Sequence, residues 1–168
     1  IDIGCGNGKN MCYNNNLKID GYDNCHNFVK ICNDKGLNAK LGNCLCLPCQ
    51  PNTYDFAMAI AVYHHMASDE HRKTAIREMI RTLKPGGKGL FSVWSVENQA
   101  GEKIVRNFVA GDNYVQWMRK KDSKIFKRYY YVYTNEMIVF LMAKFRDRIK
   151  NINITNERGN WVVEFEKI

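Results

Sequence analysis

The sequence contains no stretch that approaches the roughly 20 apolar residues of a membrane-spanning helix. It also has no internal repeat and no low-complexity tract, which excludes a repeat architecture. Apolar residues are not scarce: hydrophobic residues make up 45% and charged residues 25%, so wholesale disorder is excluded as well. We therefore expect one soluble domain spanning 1–168 and no membrane partner.

Acidic residues are few relative to basic ones, with 17 Asp and Glu against 25 Lys and Arg. The resulting net charge of +8 and pI near 9.1 indicate an anionic partner. Nucleic acid is the first candidate for such a partner, ahead of a membrane surface or an acidic substrate.

The seven cysteines lack a second pair at zinc-ligand spacing. Cys44-x-Cys46-x-x-Cys49 is followed by no further Cys pair or His pair, so we expect no metal site. A chain of this size does not need disulfides, and the number of cysteines is odd. These observations predict mostly reduced thiols and a cytoplasmic location.

Short apolar runs alternate with stretches of helical period, the pattern of an α/β sheet. The chain opens at Ile1-Asp2-Ile3, inside what we take to be a first strand, so an N-terminal part is expected to be missing. The predicted further strands are Leu17–Tyr22, Leu37–Leu41, Tyr54–Ala61, Gly89–Ser95, Arg148–Thr155 and Trp161–Ile168, the last two antiparallel. Helices are predicted after the caps Asn24, Ser68 and Thr134, and directly after the first glycine turn. Asn98–Arg128 has too little periodicity for an assignment.

The strongest motif is the glycine turn Asp2-Ile3-Gly4-Cys5-Gly6-Asn7-Gly8. A dinucleotide fingerprint, G-x-G-x-x-G, places its third glycine one residue later, where Lys9 stands here. S-adenosylmethionine carries an ammonium and a sulfonium group in place of a pyrophosphate, and the carboxylate of Asp2 suits these cations. Asp23, at the end of the second strand, is placed to accept from ribose hydroxyls. These features favour S-adenosylmethionine over a dinucleotide.

Taken together, these motifs resemble the class I S-adenosylmethionine-dependent methyltransferases, and more narrowly the eukaryotic tRNA methyltransferases that esterify wobble 5-carboxymethyluridine. The specific parts are Gly4–Lys9, Ala61–His65, Val93–Glu97, Arg128–Tyr130 and Glu157–Trp161. The sequence departs from the family at Asn43, where related enzymes usually carry Asp beside the adenine, and in lacking the leading helices. Asn can still donate and accept a hydrogen bond there.

The resemblance implies a Rossmann-like, mostly parallel sheet with an antiparallel C-terminal strand. It implies that the following residues bind the cofactor: Asp2, Gly4, Cys5, Gly6, Gly8, Asp23, Asn43, Cys44 and Ala61. It also implies that His64, His65 and Trp94 lie at the site of methyl transfer, with Trp94 able to stack on the uracil. Lys9, Arg128, Tyr129 and Tyr130 are the residues implied for substrate binding.

The implied reaction needs no general base, because a carboxyl group with a reference pKa near 4 is already an anion at neutral pH. The protein has to hold the carboxylate, the methyl group and the sulfur in line. Either histidine could instead be a neutral residue that holds the loop, and Trp94 could instead belong to the core.

Basic and aromatic residues interleave between Trp117 and Tyr133. Cations suit phosphates and aromatic faces suit unstacked bases, so this segment is a candidate for contact with a tRNA anticodon loop. A solvated charged surface is the alternative. The members are Arg119, Lys120, Lys121, Lys124, Lys127 and Arg128 with Trp117, Phe126, Tyr129, Tyr130, Tyr131 and Tyr133. By contrast, the helix carrying Arg72, Lys73, Arg77, Arg81 and Lys84 is explained as an ordinary surface helix.

The resemblance further implies a protein partner, a small zinc-binding methyltransferase activator. The third strand is expected at the edge of the sheet, and an exposed apolar edge can pair with a partner strand. Leu37–Leu47 is therefore the predicted contact in a heterodimer. The rival functions are a small-molecule methyltransferase with the same cofactor and a non-catalytic binding module. A dehydrogenase is the least favoured alternative, because of the glycine spacing.

Overall fold

The structure is a computed structural model, and it describes residues 1–14, 16–97, 108–119 and 122–168. The helices are α1 (His26–Asp34), α2 (Asp69–Thr82) and α3 (Asn135–Ala143). The strands are β1 (Asp2–Ile3), β2 (Gly21–Asp23), β3 (Ala39–Leu41), β4 (Tyr54–Ile60), β5 (Leu83–Trp94), β6 (Gly111–Met118), β7 (Ile125–Val132), β8 (Ile149–Glu157) and β9 (Asn160–Lys167). No helix among the described residues is long and apolar enough to cross a membrane.

Seven strands form one sheet in the order β3-β2-β1-β4-β5-β9-β8. Strands β1 to β5 pair in parallel, whereas β9 is antiparallel to both of its neighbours, β5 and β8. The chain crosses from β1 to β2 on one side and reaches β4 on the other, so the strand order reverses at β1. Open α/β sheets bind ligands at the carboxyl ends of the strands beside such a reversal.

Alternating residues of the central strands form the core. Ala57 and Ala59 of β4 are fully buried, as is Phe91 of β5. They belong to the same core as the apolar stripe of α2, in which Ala75, Ile76, Met79 and Ile80 are buried. Their spacing of three and four residues is the period predicted for that helix.

Two predicted helix caps are confirmed. The Ser68 hydroxyl accepts from the His71 N–H at 3.1 Å, and the Thr134 hydroxyl accepts from the Met137 N–H at 3.3 Å. The cap of α1 is Cys25 instead of Asn24, and it makes no side-chain capping hydrogen bond. In α1 the side chain of Cys32 is buried, but Phe28 and Ile31 are about 40% exposed.

Two further predictions were wrong. Turns follow the glycine motif where a helix was predicted, because several Gly and Asn residues between Gly4 and Asn14 favour turns over helix. Strand β5 begins at Leu83, six residues before the predicted start at Gly89, since Leu83 is already extended and pairs with Tyr54. The predicted C-terminal hairpin, the parallel sheet and the edge position of β3 are confirmed.

Strand β6 and the first half of β7 lie in the segment left unassigned, and the two strands form an antiparallel hairpin that is a second sheet of its own. The hairpin is joined to the main sheet beyond the carboxyl end of β5. There the Tyr133 N–H donates to the Trp94 carbonyl at 3.0 Å, and the Val96 N–H donates to the Tyr133 carbonyl at 3.2 Å. The hairpin, with the described part of the interleaved basic and aromatic segment, therefore lies at the ligand-binding edge of the sheet.

Candidate active site

A cavity of about 550 Å³ lies at the carboxyl ends of β1, β2 and β4, beside the reversal of the strand order. Six of the nine residues predicted to bind the cofactor line it: Gly4, Gly6, Asp23, Asn43, Cys44 and Ala61. Other lining residues come from the start of α1 and from the segment after β4, among them Cys25, Phe28, Val62, His65, Ala67 and His71. A cavity of this size accommodates a nucleoside-sized ligand.

The glycine turn approaches the cavity with its backbone. Gly4 has a φ of +73°, and a Cβ atom there would lie 2.5 Å from Cγ2 of Val62, which also lines the cavity. The Gly6 N–H donates to Oδ2 of Asp23 at 2.9 Å, and the Cys25 N–H donates to Oδ1 at 2.9 Å. Asp23 thus fixes the turn and the start of α1, while lone pairs of its carboxylate remain available to hydroxyl donors.

Asp2 is completely buried at the start of this turn, and its two carboxylate oxygens have no hydrogen-bond partner among the described residues. Burial raises the pKa of Asp2 from 3.8 to about 6, and nearby Asp23 adds to the increase. A buried carboxylate without a partner is costly for the folded protein. The carboxylate is a ready acceptor for a cationic ligand group, although Asp2 itself does not line the cavity.

The remaining predicted cofactor residues have different placements. Ala61 has a φ of +59°, a conformation that is unusual for a residue with a Cβ, and its N–H donates to the carbonyl of Ser92 at 3.1 Å. Cys5 is buried behind the turn and does not line the cavity. Gly8 allows close packing, because a Cβ there would lie 2.4 Å from Cδ1 of Leu37.

The two histidines after β4 have different surroundings. His64 is buried, and its Nδ1 accepts from the Trp94 N–H at 3.1 Å. Burial lowers the pKa of His64 to about 3, and the neighbouring His65 adds to the decrease. His64 is therefore neutral at physiological pH and ties the segment after β4 to β5. His65 instead lines the cavity, and its Nδ1 lies 3.2 Å from the carbonyl oxygen of Tyr129.

Trp94 lies in an aromatic cluster beside the histidines. Its ring stacks on Tyr130 with centroids 3.9 Å apart and planes 3° from parallel, and Phe108 stacks at 5.1 Å. The ring of Tyr130 also lies 4.6 Å from that of His65. A uracil could stack on Trp94 only by displacing one of these rings, so the structure does not bring Trp94 to the cavity as an open platform.

The predicted substrate-binding residues are divided between two places. Tyr129 is near the cavity, since its hydroxyl lies 3.4 Å from the carbonyl oxygen of Ala67. The exposed guanidinium of Arg128 lies 4.2 Å above the ring of Trp117, further along the hairpin. Lys9 is exposed and does not line the cavity. Lys120 and Lys121 lie outside the described residues.

Arg72 is a buried residue whose role the sequence did not reveal. It was predicted to be part of a surface helix, yet it is only 5% exposed. One of its guanidinium nitrogens donates to the carbonyls of Met66 and Ala67 at 2.8 and 3.2 Å, and the ring of Tyr131 lies 3.6 Å from the guanidinium carbon. Arg72 thus links the cavity wall to the hairpin. An Arg within a run of helical charges carries no sequence signal for this role.

The segment with three cysteines is held by α2. Glu78 accepts from the Leu47 N–H at 2.8 Å, and Arg81 donates to the carbonyls of Cys49 and Leu47 at 2.8 and 3.0 Å. These contacts hold the segment in place, and its first residues, Asn43 and Cys44, line the cavity. All seven cysteines are free thiols, and the described residues contain no group of three or more potential metal ligands.

The sheet order, the glycine turn and the cavity at the strand reversal define a Rossmann-like methyltransferase fold. A solved structure of a SAM-dependent methyltransferase from Methanosarcina mazei superposes with a TM-score of 0.72, covering 99% of this chain and 91% of that one at 18% identity. The profile of the methyltransferase domain family matches residues 1–91, which is more than half of the sequence. The chain belongs to this family.

Two curated relatives are considerably more similar in sequence. A tRNA (carboxymethyluridine(34)-5-O)-methyltransferase of Schizosaccharomyces pombe is 38% identical over 121 residues, which is 72% of this chain and 53% of the relative. A protein of the same name from Arabidopsis thaliana is 40% identical over 99 residues, 59% of this chain and 24% of the relative. The chain thus spans about half or less of the length of these relatives.

Proposed function

We propose that this chain transfers a methyl group from S-adenosylmethionine to the carboxylate of wobble 5-carboxymethyluridine in tRNA, forming a methyl ester. The observation that carries the proposal is the cavity that Gly4, Asp23 and His65 line together. It lies in a chain that is 38–40% identical, over the aligned residues, to two enzymes named for this reaction. The excess of positive charge also suits a polyanionic substrate.

The residues at the cavity fit S-adenosylmethionine. Asp23 can accept from two ribose hydroxyls, and Asn43 lies on the same wall, where it can hydrogen-bond the adenine. Asp2 begins the glycine turn and does not itself line the cavity, but its buried and unpartnered carboxylate suits the ammonium group of the methionine part. The small profile of Gly4 leaves room for the ligand beside the backbone.

The cofactor supplies an electrophilic methyl group, which passes from sulfur to a carboxylate oxygen as the S–C bond breaks and the O–C bond forms. The attacking oxygen is already ionised, so none of the chain's residues has to remove a proton. The task of the chain is to position the acceptor, and the ring of His65 lies at the cavity wall where it can contact the uridine. Such orientation lowers a barrier by about 7–11 kcal/mol in favourable cases.

The hairpin of β6 and β7 is the proposed contact for the anticodon loop. Its aromatic rings and guanidinium groups begin at Tyr130, beside the histidines, and continue outward to Arg128. Bases splayed out of an RNA loop stack on such surfaces, and phosphates pair with the cations. Lys9 is exposed near the glycine turn and can add a phosphate contact.

The proposed protein partner is a small zinc-binding activator that pairs with the edge of the sheet. Strand β3 is one of the two edge strands of the sheet, with β8 at the other end, and Leu41 on β3 is 45% exposed. A partner strand would satisfy the outward backbone groups of β3 and cover this side chain. We further propose that the resulting heterodimer is cytoplasmic, as the free thiols suggest.

A pair of glycine variants tests whether the turn contacts the cofactor. Gly4→Ala and Gly86→Ala impose similar backbone strain, since φ is +73° and +77°, but a Cβ at Gly86 meets nothing within 4 Å. We expect Gly4→Ala to weaken S-adenosylmethionine binding at least tenfold by calorimetry, because the added methyl group collides with Val62. Gly86→Ala should lower thermal stability through the backbone strain alone and leave affinity within twofold. Equal affinities for both variants would contradict the assignment.

The reaction itself is tested with the protein co-expressed with a candidate activator. It is incubated with labelled S-adenosylmethionine and tRNA carrying 5-carboxymethyluridine, and the nucleosides are analysed before and after alkali. We expect label in an ester of the wobble uridine that alkali removes. Label that survives alkali would move the acceptor to nitrogen, carbon or a ribose oxygen. Cofactor binding without any transfer to tRNA would favour a small-molecule methyltransferase.

A further inference from the structure

The two faces of the hairpin differ in chemistry. The register pairs Trp117 with Phe126 and Val115 with Arg128, so these residues share one face with Tyr130. We term it the Trp117 face. The opposite face, termed the Lys127 face, carries Tyr114, Gln116, Met118, Ile125, Lys127 and Tyr129.

On the Trp117 face, planar groups follow one another outward from the cavity. Beyond Tyr130, the guanidinium of Arg128 lies 4.2 Å above the ring of Trp117. That ring is 5.9 Å from Phe126, and the guanidinium of Arg119 lies 5.2 Å above Phe126. The strand from Phe126 to Tyr130 spans about 14 Å, so the series reaches from the aromatic cluster at Trp94 well beyond the cavity.

These groups remain accessible to a ligand. Trp117 is 39% and Phe126 is 41% exposed, and Arg128 is exposed. Arg119 forms an ion pair with Asp122. Arg128 also stacks on a ring of this face, but it forms no ion pair with an acidic residue among the described residues. A guanidinium stacked on an aromatic ring still directs its N–H groups outward and can bind a phosphate oxygen.

The Lys127 face is less suited to RNA. Near the cavity its side chains already have partners: the Tyr129 hydroxyl donates to Asp112 at 2.5 Å, and Tyr131 covers Arg72. Tyr114 is 70% exposed, and its ring meets that of Tyr129 edge-on with centroids 5.8 Å apart. Further out the face presents Met118 and Ile125, which are 57% and 64% exposed and offer neither charge nor a flat ring. Lys127 is its exposed cation.

We infer that the nucleotides adjoining the target uridine lie along the Trp117 face, with bases stacked on Trp117 and Phe126 and a phosphate held by Arg128, while the Lys127 face makes no such contact. The inference rests on the proposed function and adds to it which face of the hairpin the RNA contacts and in which direction its nucleotides run from the cavity. Single-stranded RNA is the partner that fits, because alternating rings and guanidinium groups match alternating bases and phosphates.

Adjacent basic residues on opposite faces give a matched test. Arg128→Gln and Lys127→Gln each remove one positive charge from the same exposed stretch of β7. Dissociation constants for tRNA are measured at several salt concentrations. We expect Arg128→Gln to weaken binding about tenfold and to reduce the salt dependence, with Lys127→Gln within twofold of the unchanged protein. Equal losses, or a larger loss at Lys127, would overturn the inference.

A second pair tests stacking. Trp117→Ala should weaken tRNA binding about tenfold with an unchanged salt dependence, whereas Met118→Ala should have little effect. Because Trp117→Ala could loosen the hairpin, Arg128→Lys serves as a milder variant that keeps the charge and loses the planar group. It should lose several-fold affinity, and full affinity would contradict a stacked guanidinium.

The outcomes separate this inference from the proposed function. If the unchanged protein forms the methyl ester but both faces contribute equally to tRNA binding, the inference fails and the proposed function stands. If the Trp117 face binds tRNA but no ester forms on the wobble uridine, the proposed function fails and the RNA surface stands.

Discussion

Replacing Asp23 with alanine is expected to lower the affinity for S-adenosylmethionine by at least 100-fold. The Asp23 carboxylate accepts from the Gly6 and Cys25 N–H groups at 2.9 Å and lines the cavity. The variant loses the acceptor for the ribose hydroxyls and also the two bonds that fix the turn. Hydrogen bonds to a charged group contribute about 1.5–3 kcal/mol each, so losing two from the ligand accounts for 100-fold or more.

Asp34→Ala is the matched control, because it removes the same charge from an exposed residue of α1 whose partner is Lys30. Calorimetric titration and thermal melting should be measured for both variants. Asp34→Ala should bind the cofactor as the unchanged protein does, since a surface ion pair contributes little. If Asp23→Ala remains folded and binds within threefold of the unchanged protein, Asp23 only holds the turn, and the ribose contact must be made elsewhere.

Much of this fold could be predicted from local patterns. The caps Ser68 and Thr134 and the apolar stripe of α2 depend on residues within one or two turns of each other, and the structure has them as expected. The same holds for the glycine turn, because the type and spacing of its residues dictate the backbone conformation. Its position at the strand reversal follows from the parallel sheet.

The features that could not be predicted depend on contacts between distant segments. Arg72 looks like one more surface charge in the sequence, and only the packing of Tyr131 and the carbonyl of Met66 around it reveals a buried link. His64 and His65 are adjacent and identical in type, yet one packs into the core and the other reaches the cavity. The stack of Tyr130 on Trp94 depends on where the hairpin lies, which no periodicity indicated.

The buried carboxylate of Asp2 makes the stability of the protein depend on pH. Its pKa is raised from 3.8 to about 6 in the folded protein, chiefly by burial and further by Asp23. The folded state therefore keeps the proton at pH values where the unfolded state has lost it. Stability is greatest below pH 3.8 as far as this group is concerned, and it declines as the pH rises through about 6. The difference in pKa corresponds to about 3 kcal/mol at neutral pH.

Asp2→Asn should consequently move stability and function in opposite directions. Without ligand at pH 7, the variant should unfold at a higher temperature, because an uncharged side chain of the same shape replaces a buried charge without a partner. Its affinity for S-adenosylmethionine should fall about tenfold or more, since the ammonium group loses its counter-charge, and the rise in affinity between pH 5 and 7 should disappear. A variant that is less stable and binds normally would mean that Asp2 supports the fold and does not contact the cofactor. Such an opposition is expected of a residue that is kept for its ligand at the expense of the folded protein.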